Sequence, residues 1–379
     1  MKPLVDCVAG ARPNFVKLAP VARAIEQDGR LGLRIVHTGQ HYDPALSDVF
    51  FDELRIPPPD VHLDVGSGPH GAQTGRILER YEAHLLHSRP AATVVFGDVN
   101  STIACALAAV KLEVPVVHVE AGLRSFDRRM PEEINRLLTD ALADLLLVSE
   151  QSGIDNLRRE GVAEHKLRLV GNVMIDTLLE NLAQARLRDT HRRLGLEKRA
   201  YGLITLHRPS NVDDPDVLAS LLQLFLELAR RIPLVFPVHP RTRAAARRAG
   251  LESLLRQEPP LLCTDPLPYL DALSLAAEAR VVLTDSGGLQ EESSVLGVPC
   301  LTLRDNTERP VTLSLGTSRL VGNDPALIRL AFDQALDAHP TPNSPIPLWD
   351  GNAGPRIARE IADWLVLRDG TTEVDSQTI

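Results

Sequence analysis

Short apolar runs alternate with longer segments of helical periodicity along the first part of the chain. Buried parallel strands are apolar on both faces, whereas a helix packed on a sheet repeats its apolar positions every three to four residues. The pattern predicts strands at Leu4–Ala9, Leu33–His37, Thr93–Phe96, Val114–Val119, Leu145–Val148 and Leu167–Val170. It predicts helices at Phe15–Glu26, Gln73–Leu86, Thr102–Leu112 and Ile134–Ala143. This alternation indicates a parallel sheet with helices on both faces.

The same alternation starts again in the second part of the chain, after a long helical stretch at about 175–194. The predicted strands are Leu203–Leu206, Leu234–Val238, Leu261–Cys263, Val281–Thr284 and Cys300–Leu303, and the helices Val217–Arg230, Tyr269–Ala279 and Leu289–Leu296. We therefore predict an α/β protein of two doubly wound, Rossmann-like domains, at 1–170 and 171–353. A helix at about 354–367 is expected to pack back on one of them, with the first as a candidate, and 368–379 to form a flexible tail.

Composition excludes several classes of protein. The 379 residues suit two domains, and the net charge of −9 disfavours a nucleic-acid partner. The sequence has no signal peptide and no apolar run of about 18 residues, which favours a cytoplasmic protein without a membrane partner. Its four cysteines lie far apart with no C-x-x-C spacing, so no metal site is expected.

Charged residues follow the predicted strands of the first domain, where open parallel sheets bind their ligands. Arg12 and Lys17 come after the first strand, near a helix start that favours an anion. Asp98 and Glu120 follow later strands, and Glu132 opens a helix. Three carboxylates in one cleft would suit general acid–base catalysis, because crowding perturbs their pKa values. A helix cap for Asp98 and a helix-start charge for Glu132 are the structural alternatives.

The second domain carries a stronger signal in the string 284–292, TDSGGLQEE, where a strand ends and a helix begins. Free amide groups at such a helix start, with Ser286, Gly287 and Gly288, suit a diphosphate. Glu292 lies one turn further on, where a carboxylate can accept both hydroxyls of a ribose. His207 and His239 also follow strands, and a structural role is the alternative for both.

Four strings resemble a known family: VEAGLRS at 119–125, MPEEINR at 130–136, TDSGGLQEE at 284–292 and RDNTERP at 304–310. Over about residues 3–365 the chain resembles the non-hydrolysing UDP-N-acetylglucosamine 2-epimerases. The resemblance implies a glycosyltransferase-B-like pair of Rossmann domains with the active site in the interdomain cleft. It also implies a UDP-sugar substrate, no cofactor, a homodimer, and a place in polysaccharide biosynthesis.

The resemblance further implies a two-step reaction. The enzyme removes the C2 proton and expels UDP to give a 2-acetamidoglucal, and UDP then adds back as a proton reaches the opposite face. By resemblance, the catalytic residues are Asp98, Glu120, Glu132 and His207. The implied UDP contacts are Arg12, Lys17, Arg136, Ser286, Gly287, Gly288, Glu292 and Arg309. A regulatory site is implied at Gln40, His41, Arg208 and His239.

Several activities stay open at this point. The main hypothesis is a 2-epimerase of UDP-N-acetylglucosamine, and the second is a 2-epimerase of UDP-2,3-diacetamido-2,3-dideoxyglucuronate. A hydrolysing epimerase would release free N-acetylmannosamine and UDP. A glycosyltransferase of the same fold would need an acceptor groove, and a non-catalytic binder would not need the acid–base residues.

Overall fold

The computed structural model describes residues 2–40, 51–256, 261–337 and 345–375. The chain forms two compact units. The first comprises Met1–Thr177 and Pro347–Ile379, and the second comprises Leu178–Ile346. Among the described helices, none is both long and apolar enough to cross a membrane.

The first unit is built on a seven-stranded parallel sheet with the strand order β3-β2-β1-β4-β5-β6-β7. Its strands are β1 Leu4–Ala9, β2 Gly32–His37, β3 Val61–His62, β4 Ala92–Phe96, β5 Val116–Ala121, β6 Leu145–Val148 and β7 Leu167–Leu169. Its helices are α1 Arg12–Asp28, α2 His70–His87, α3 Asn100–Lys111, α4 Pro131–Leu142, α5 Gln151–Arg159 and the first turn of α6 Val173–Leu187, whose remainder belongs to the second unit. The strand order reverses between β1 and β4, the place where such sheets open a crevice for ligands.

The second unit has a six-stranded parallel sheet with the order β10-β9-β8-β11-β12-β13. Its strands are β8 Gly202–Thr205, β9 Leu234–Pro237, β10 Leu261–Thr264, β11 Val281–Thr284, β12 Cys300–Thr302 and β13 Ser318–Leu320. Its helices are α7 Thr190–Arg193, α8 Pro209–Val212, α9 Pro215–Leu228, α10 Pro240–Arg248, α11 Tyr269–Glu278, α12 Gly287–Leu296, α13 Val311–Ser314 and α14 Pro325–Asp337. Here the order reverses between β8 and β11.

The last helix, α15 at Ala353–Asp375, returns to the first unit and packs on α1. Asp176 caps its start by accepting hydrogen bonds from the amides of Ala353 (3.1 Å) and Gly354 (2.7 Å). Gly354 has to be small, because a Cβ there would lie 2.7 Å from the carbonyl oxygen of Pro20. The chain therefore crosses between the units twice, after Thr177 and after Ile346.

The helices α5, α10 and α14 were not among the predicted ones, and three further local features differ from the sequence predictions. The helix predicted at 175–194 breaks between Leu187 and Thr190, because Asp189 adopts a left-handed conformation with φ of 48°. The tail predicted from 368 is helical as far as Asp375, and 376–379 lie outside the described residues. The edge strands β3 and β13 were not predicted, since strands of two or three residues leave no apolar run.

Candidate active site

Glu120, the last residue but one of β5, has an unusual backbone conformation. Its φ is 72°, in the left-handed region that residues with a side chain rarely adopt, and the register with β6 shifts between Val119 and Ala121. Its carboxylate is buried and forms an ion pair with Lys17. Gly97 leaves room for this pair, because a Cβ there would lie 2.6 Å from Lys17 Nζ. Such strained backbone persists where the surrounding structure holds it, often at functional sites.

The structure does not place the Lys17 ammonium at the helix start, where the sequence suggested an anion site. α1 begins at Arg12, so Lys17 lies in its second turn and turns towards β5. The side chain of Arg12 lies outside the described residues. At the helix entry, the Asn14 carboxamide accepts from the amide of Ala11 (3.3 Å) and donates to the carbonyl of Phe96 (2.8 Å). Asn14 therefore connects this loop to the end of β4, a role that was not predicted from the sequence.

Asp98 and Glu133 share Arg136 as a partner. Arg136 pairs with the half-buried Asp98 and lies 2.7 Å from the buried Glu133 carboxylate. Glu133 also accepts hydrogen bonds from the amides of Ser125 and Phe126, at 2.9 Å each. Burial alone would raise the pKa of Glu133, but these hydrogen bonds and the Arg136 charge outweigh it and lower the pKa. Glu133 is thus a structural anion.

Glu132, the other acid of the pair in the MPEEINR string, is half-buried in the first turn of α4. A carboxylate there is stabilised by the positive end of the helix dipole. The structure therefore gives different surroundings to the two neighbouring acids, the half-buried Glu132 and the buried Glu133. The more accessible one keeps the predicted catalytic role.

Gln40, the first of the predicted regulatory residues, is buried next to α3. Its side-chain carbonyl accepts hydrogen bonds from the amide (3.0 Å) and hydroxyl (2.7 Å) of Ser101, and its backbone carbonyl accepts from Gln73 (2.9 Å). These bonds hold Gln40 against α3 and α2. His41 lies outside the described residues.

In the second unit, Asp285 organises the loop that carries His207. The buried Asp285 carboxylate lies 2.8 Å from His207 Nδ1 and accepts from the backbone amides of His207 (2.9 Å) and Arg208 (2.8 Å). Burial raises the pKa of Asp285, but the His207 charge and these hydrogen bonds outweigh it, so the pKa is lowered. Asp285 was not predicted from the sequence, although it directly follows the buried strand β11.

His239 lies close to His207 but has a different local role. It is exposed, caps α10 by accepting from the Arg241 amide (3.2 Å), and its ring centroid is 5.4 Å from that of His207. Its Nδ1 therefore carries a lone pair. Arg208 is half-buried and stands at the N-cap of the short α8.

The glycine-rich string forms the start of α12, as predicted. Ser286 is its N-cap residue, and no side chain of the described residues caps the helix. Gly287 makes room for Arg309, since a Cβ there would lie 2.6 Å from Arg309 Nη1. Arg309 is 2.6 Å from the buried Glu291. The cation thus stands beside the helix start, and Gly288 follows in its first turn.

Glu292 is buried on α12, and the phenol of Tyr269 donates to it at 3.3 Å. Burial raises its pKa to about 7, the Tyr269 hydrogen bond opposes this, and the Glu291 charge adds to it. A carboxyl group with this raised pKa can lose its proton when a ligand offers stronger hydrogen-bond donors to the carboxylate.

Two parallel, doubly wound units in one chain are the architecture of glycosyltransferase-B-like enzymes. Comparison with known proteins gives the family: residues 23–362 match the UDP-N-acetylglucosamine 2-epimerase family model. The chain belongs to this family of isomerases, and the resemblance seen in its sequence is confirmed.

Individual relatives agree with this assignment. A UDP-N-acetylglucosamine 2-epimerase of Methanocaldococcus jannaschii is 41% identical, over 94% of this chain and 98% of its own length. A crystal structure of the enzyme from that organism, in complex with UDP-GlcNAc and UDP, has a TM-score of 0.89 at 40% identity and covers 94% of this chain and 99% of its own. A UDP-2,3-diacetamido-2,3-dideoxy-D-glucuronate 2-epimerase of Pseudomonas aeruginosa is 43% identical, over 83% of this chain and 87% of its own length.

Proposed function

We propose that this protein interconverts UDP-N-acetylglucosamine and UDP-N-acetylmannosamine by inverting carbon 2. The observation that carries the proposal is Glu120, a buried carboxylate held in a left-handed conformation against Lys17 at the carboxyl end of β5. A strained backbone and a buried ion pair both cost free energy, so finding them at one residue supports a functional role for it. Membership of the 2-epimerase family agrees with a catalytic role for Glu120.

The proposed chemistry is an elimination followed by an addition. A base takes the C2 proton, the C1–C2 double bond forms, and the C1–oxygen bond breaks so that UDP leaves with its electron pair. UDP then adds back to C1 while a proton reaches C2 from the opposite face. The C2 proton is weakly acidic, so UDP has to leave as the proton is lost. The two faces need separate acid–base groups, for which Asp98, Glu120 and Glu132 are the candidates.

The second unit supplies the proposed groups for UDP. The uncapped start of α12 offers amide donors at Ser286, Gly287 and Gly288, and the helix dipole favours the diphosphate. His207 donates from Nδ1 to Asp285, which orients its Nε2 for the leaving phosphate oxygen. Glu292 accepts the ribose hydroxyls. Arg309 adds positive charge where negative charge develops on UDP.

Solvent exchange tests the chemistry directly. When the protein is incubated with UDP-N-acetylglucosamine in D2O, we expect deuterium at C2 of both epimers, because the abstracted proton exchanges with solvent before it is returned. Proton NMR of the C1 and C2 signals measures this, and a sample without protein is the control. Epimerisation that retains the original C2 proton would contradict elimination–addition and favour transient oxidation.

The substituents at C3 and C6 form the second question, since a relative that acts on a diacetamido-glucuronate is 43% identical. A C6 carboxylate needs a cation. Of the arginines near the candidate carboxylates, Arg124 is already paired with Asp140 and Glu160, and Arg136 with Asp98. These pairings favour the neutral hydroxymethyl group of UDP-N-acetylglucosamine.

We therefore expect kcat/KM to be higher for UDP-N-acetylglucosamine than for the 2,3-diacetamido-glucuronate analogue. The ratio measures discrimination between two substrates in one active site. A preference for the uronate above about a hundredfold, which corresponds to about 2.7 kcal/mol, would reverse the substrate assignment and leave the epimerase chemistry intact. The homodimer stays a prediction, as does the regulatory role of Gln40, Arg208 and His239.

A further inference from the structure

His118, two residues before Glu120 in β5, is a polar residue inside an apolar strand. Its side chain is completely buried, and both ring nitrogens face oxygen atoms. Nδ1 lies 2.6 Å from Asp140 Oδ1, and Nε2 lies 2.8 Å from the carbonyl oxygen of Gly97. A carbonyl oxygen only accepts hydrogen bonds, so Nε2 carries a proton.

Asp140, on α4, is the centre of a buried charge network. It lies 2.7 Å from Arg124, which is itself 2.7 Å from Glu160, and it accepts a hydrogen bond from the amide of Gly122 at 3.0 Å. Burial raises the pKa of Asp140, but the charges of His118 and Arg124 outweigh it and keep the pKa low. The two ring nitrogens of His118 are thus held between the Asp140 carboxylate and the Gly97 carbonyl, and Arg124 pairs with both Asp140 and Glu160.

This network forms hydrogen bonds to the backbone next to two of the proposed acid–base residues. Gly97, whose carbonyl is held by His118, directly precedes Asp98. Gly122, whose amide is held by Asp140, comes two residues after the left-handed Glu120. The backbone on one side of each carboxylate is thus fixed by the same buried pair.

We propose that His118 and Asp140 are positioning residues that hold Glu120 and Asp98 in the geometry for proton transfer at C2. The inference rests on the proposed function. The left-handed conformation of Glu120 is costly on its own, so something has to hold it, and the hydrogen bonds to Gly97 and Gly122 do so. Neither His118 nor Asp140 exchanges a proton with the substrate.

A second His–Asp pair in the same unit, with a buried aspartate and a half-buried histidine, gives a matched control. His84 on α2 lies 3.0 Å from the buried Asp6 of β1. Asp6 lies in the middle of its strand and also bonds to Arg34 (2.6 Å) and the phenol of Tyr81 (3.1 Å). Breaking this pair costs stability in the same sheet without touching the loops that carry Asp98 and Glu120.

The experiment compares His118→Asn, Asp140→Asn and His84→Gln in the full chain. We expect each of the first two to lower kcat by about 10–100-fold, since a displacement of about 1 Å at a reacting group costs that much. KM for UDP-N-acetylglucosamine and the Kd for UDP should stay within about twofold, because the proposed UDP contacts lie mainly in the other unit. His84→Gln should lower Tm but leave kcat unchanged. Asp140→Asn is isosteric and serves alone if His118→Asn does not fold.

Two results would overturn the inference. One is a kcat for both variants within about twofold of the parent protein, and the other is a loss of activity that follows Tm equally in all three variants. A parent protein that does not epimerise at all would refute the proposed function separately. The crystal structure of Asp140→Asn then decides the inference: we expect Glu120 to leave the left-handed region and Lys17, and an unchanged Glu120 would refute it.

Discussion

Replacing Glu120 by glutamine should lower kcat by about 10²–10⁴-fold, the range for losing a positioned acid–base group. Glutamine has the same shape, and its amide oxygen still accepts a hydrogen bond from Lys17. It cannot take or return a proton. The left-handed backbone at Glu120 should be kept, because the neighbouring loops and not the side chain enforce it. The loss therefore reports chemistry and not folding.

Initial rates should be measured in both directions, from UDP-N-acetylglucosamine and from UDP-N-acetylmannosamine, because a group that serves one face acts as base in one direction and as acid in the other. Glu133→Gln is the comparison: Glu133 is a structural anion, so its loss should lower Tm more than Glu120→Gln does. UDP should bind Glu120→Gln with unchanged affinity. A folded Glu120→Gln protein with kcat within tenfold of the parent would remove Glu120 from the proton-transfer step.

Much of the fold could be predicted from the sequence, because a buried parallel strand leaves an unbroken apolar run. Every predicted strand is present, and the two missed strands lie at or near sheet edges and have only two or three residues. The broken helix at Asp189 could not be predicted in the same way, because one left-handed residue does not interrupt the apolar period of the flanking segments. The return of α15 to the first unit depends on contacts with residues far away in the sequence, such as Asp176.

Site residues could be predicted from one rule, that open parallel sheets bind their ligands at the carboxyl ends of the strands. That rule located Glu120, Asp98 and His207, all of which the structure places just beyond or at the end of strands. It did not assign partners. Lys17, expected near an anion, pairs with Glu120 from 103 residues away, and Arg136 likewise pairs with Asp98.

Two of the missed residues, His118 and Asp285, carried recognisable signals in the sequence. His118 is a polar residue within a run of valines in β5, which already needs a buried partner. Its partner Asp140 is one of several polar residues on α4, and nothing in the spacing distinguishes it from a solvent-exposed acid. Asp285 could have been found by the same rule that identified Glu120. Polar residues at strand ends or within apolar strands were thus predictable, whereas their ion-pair partners were not.

UDP affinity should fall as pH drops below 7, because Glu292 has a raised pKa of about 7. The ribose hydroxyls donate to a carboxylate, so UDP prefers the ionised form. Above pH 7 most of Glu292 is ionised and binding is at its strongest. Below pH 7 a proton has to leave before the hydroxyls bind, so affinity should fall by up to about tenfold per pH unit. The same raised pKa means that ionised Glu292 destabilises the ligand-free fold, so UDP should stabilise the protein most at high pH.

The matched variant is Glu292→Gln, which keeps the shape and cannot titrate. UDP has a titrating phosphate of its own, so the quantity to measure is the ratio of the two Kd values between pH 5.5 and 8.5, in which the phosphate cancels. We expect the parent protein's affinity for UDP, relative to that of Glu292→Gln, to fall by at least about tenfold from pH 8.5 to pH 5.5. Calorimetry at pH 7 in two buffers should also show about half a proton released on UDP binding by the parent beyond that released by the variant. A Kd ratio that does not change with pH would contradict the assignment of Glu292 to the ribose. If Glu292 loses its proton when it accepts the ribose hydroxyls, UDP affinity has to depend on pH in the parent protein and not in the variant.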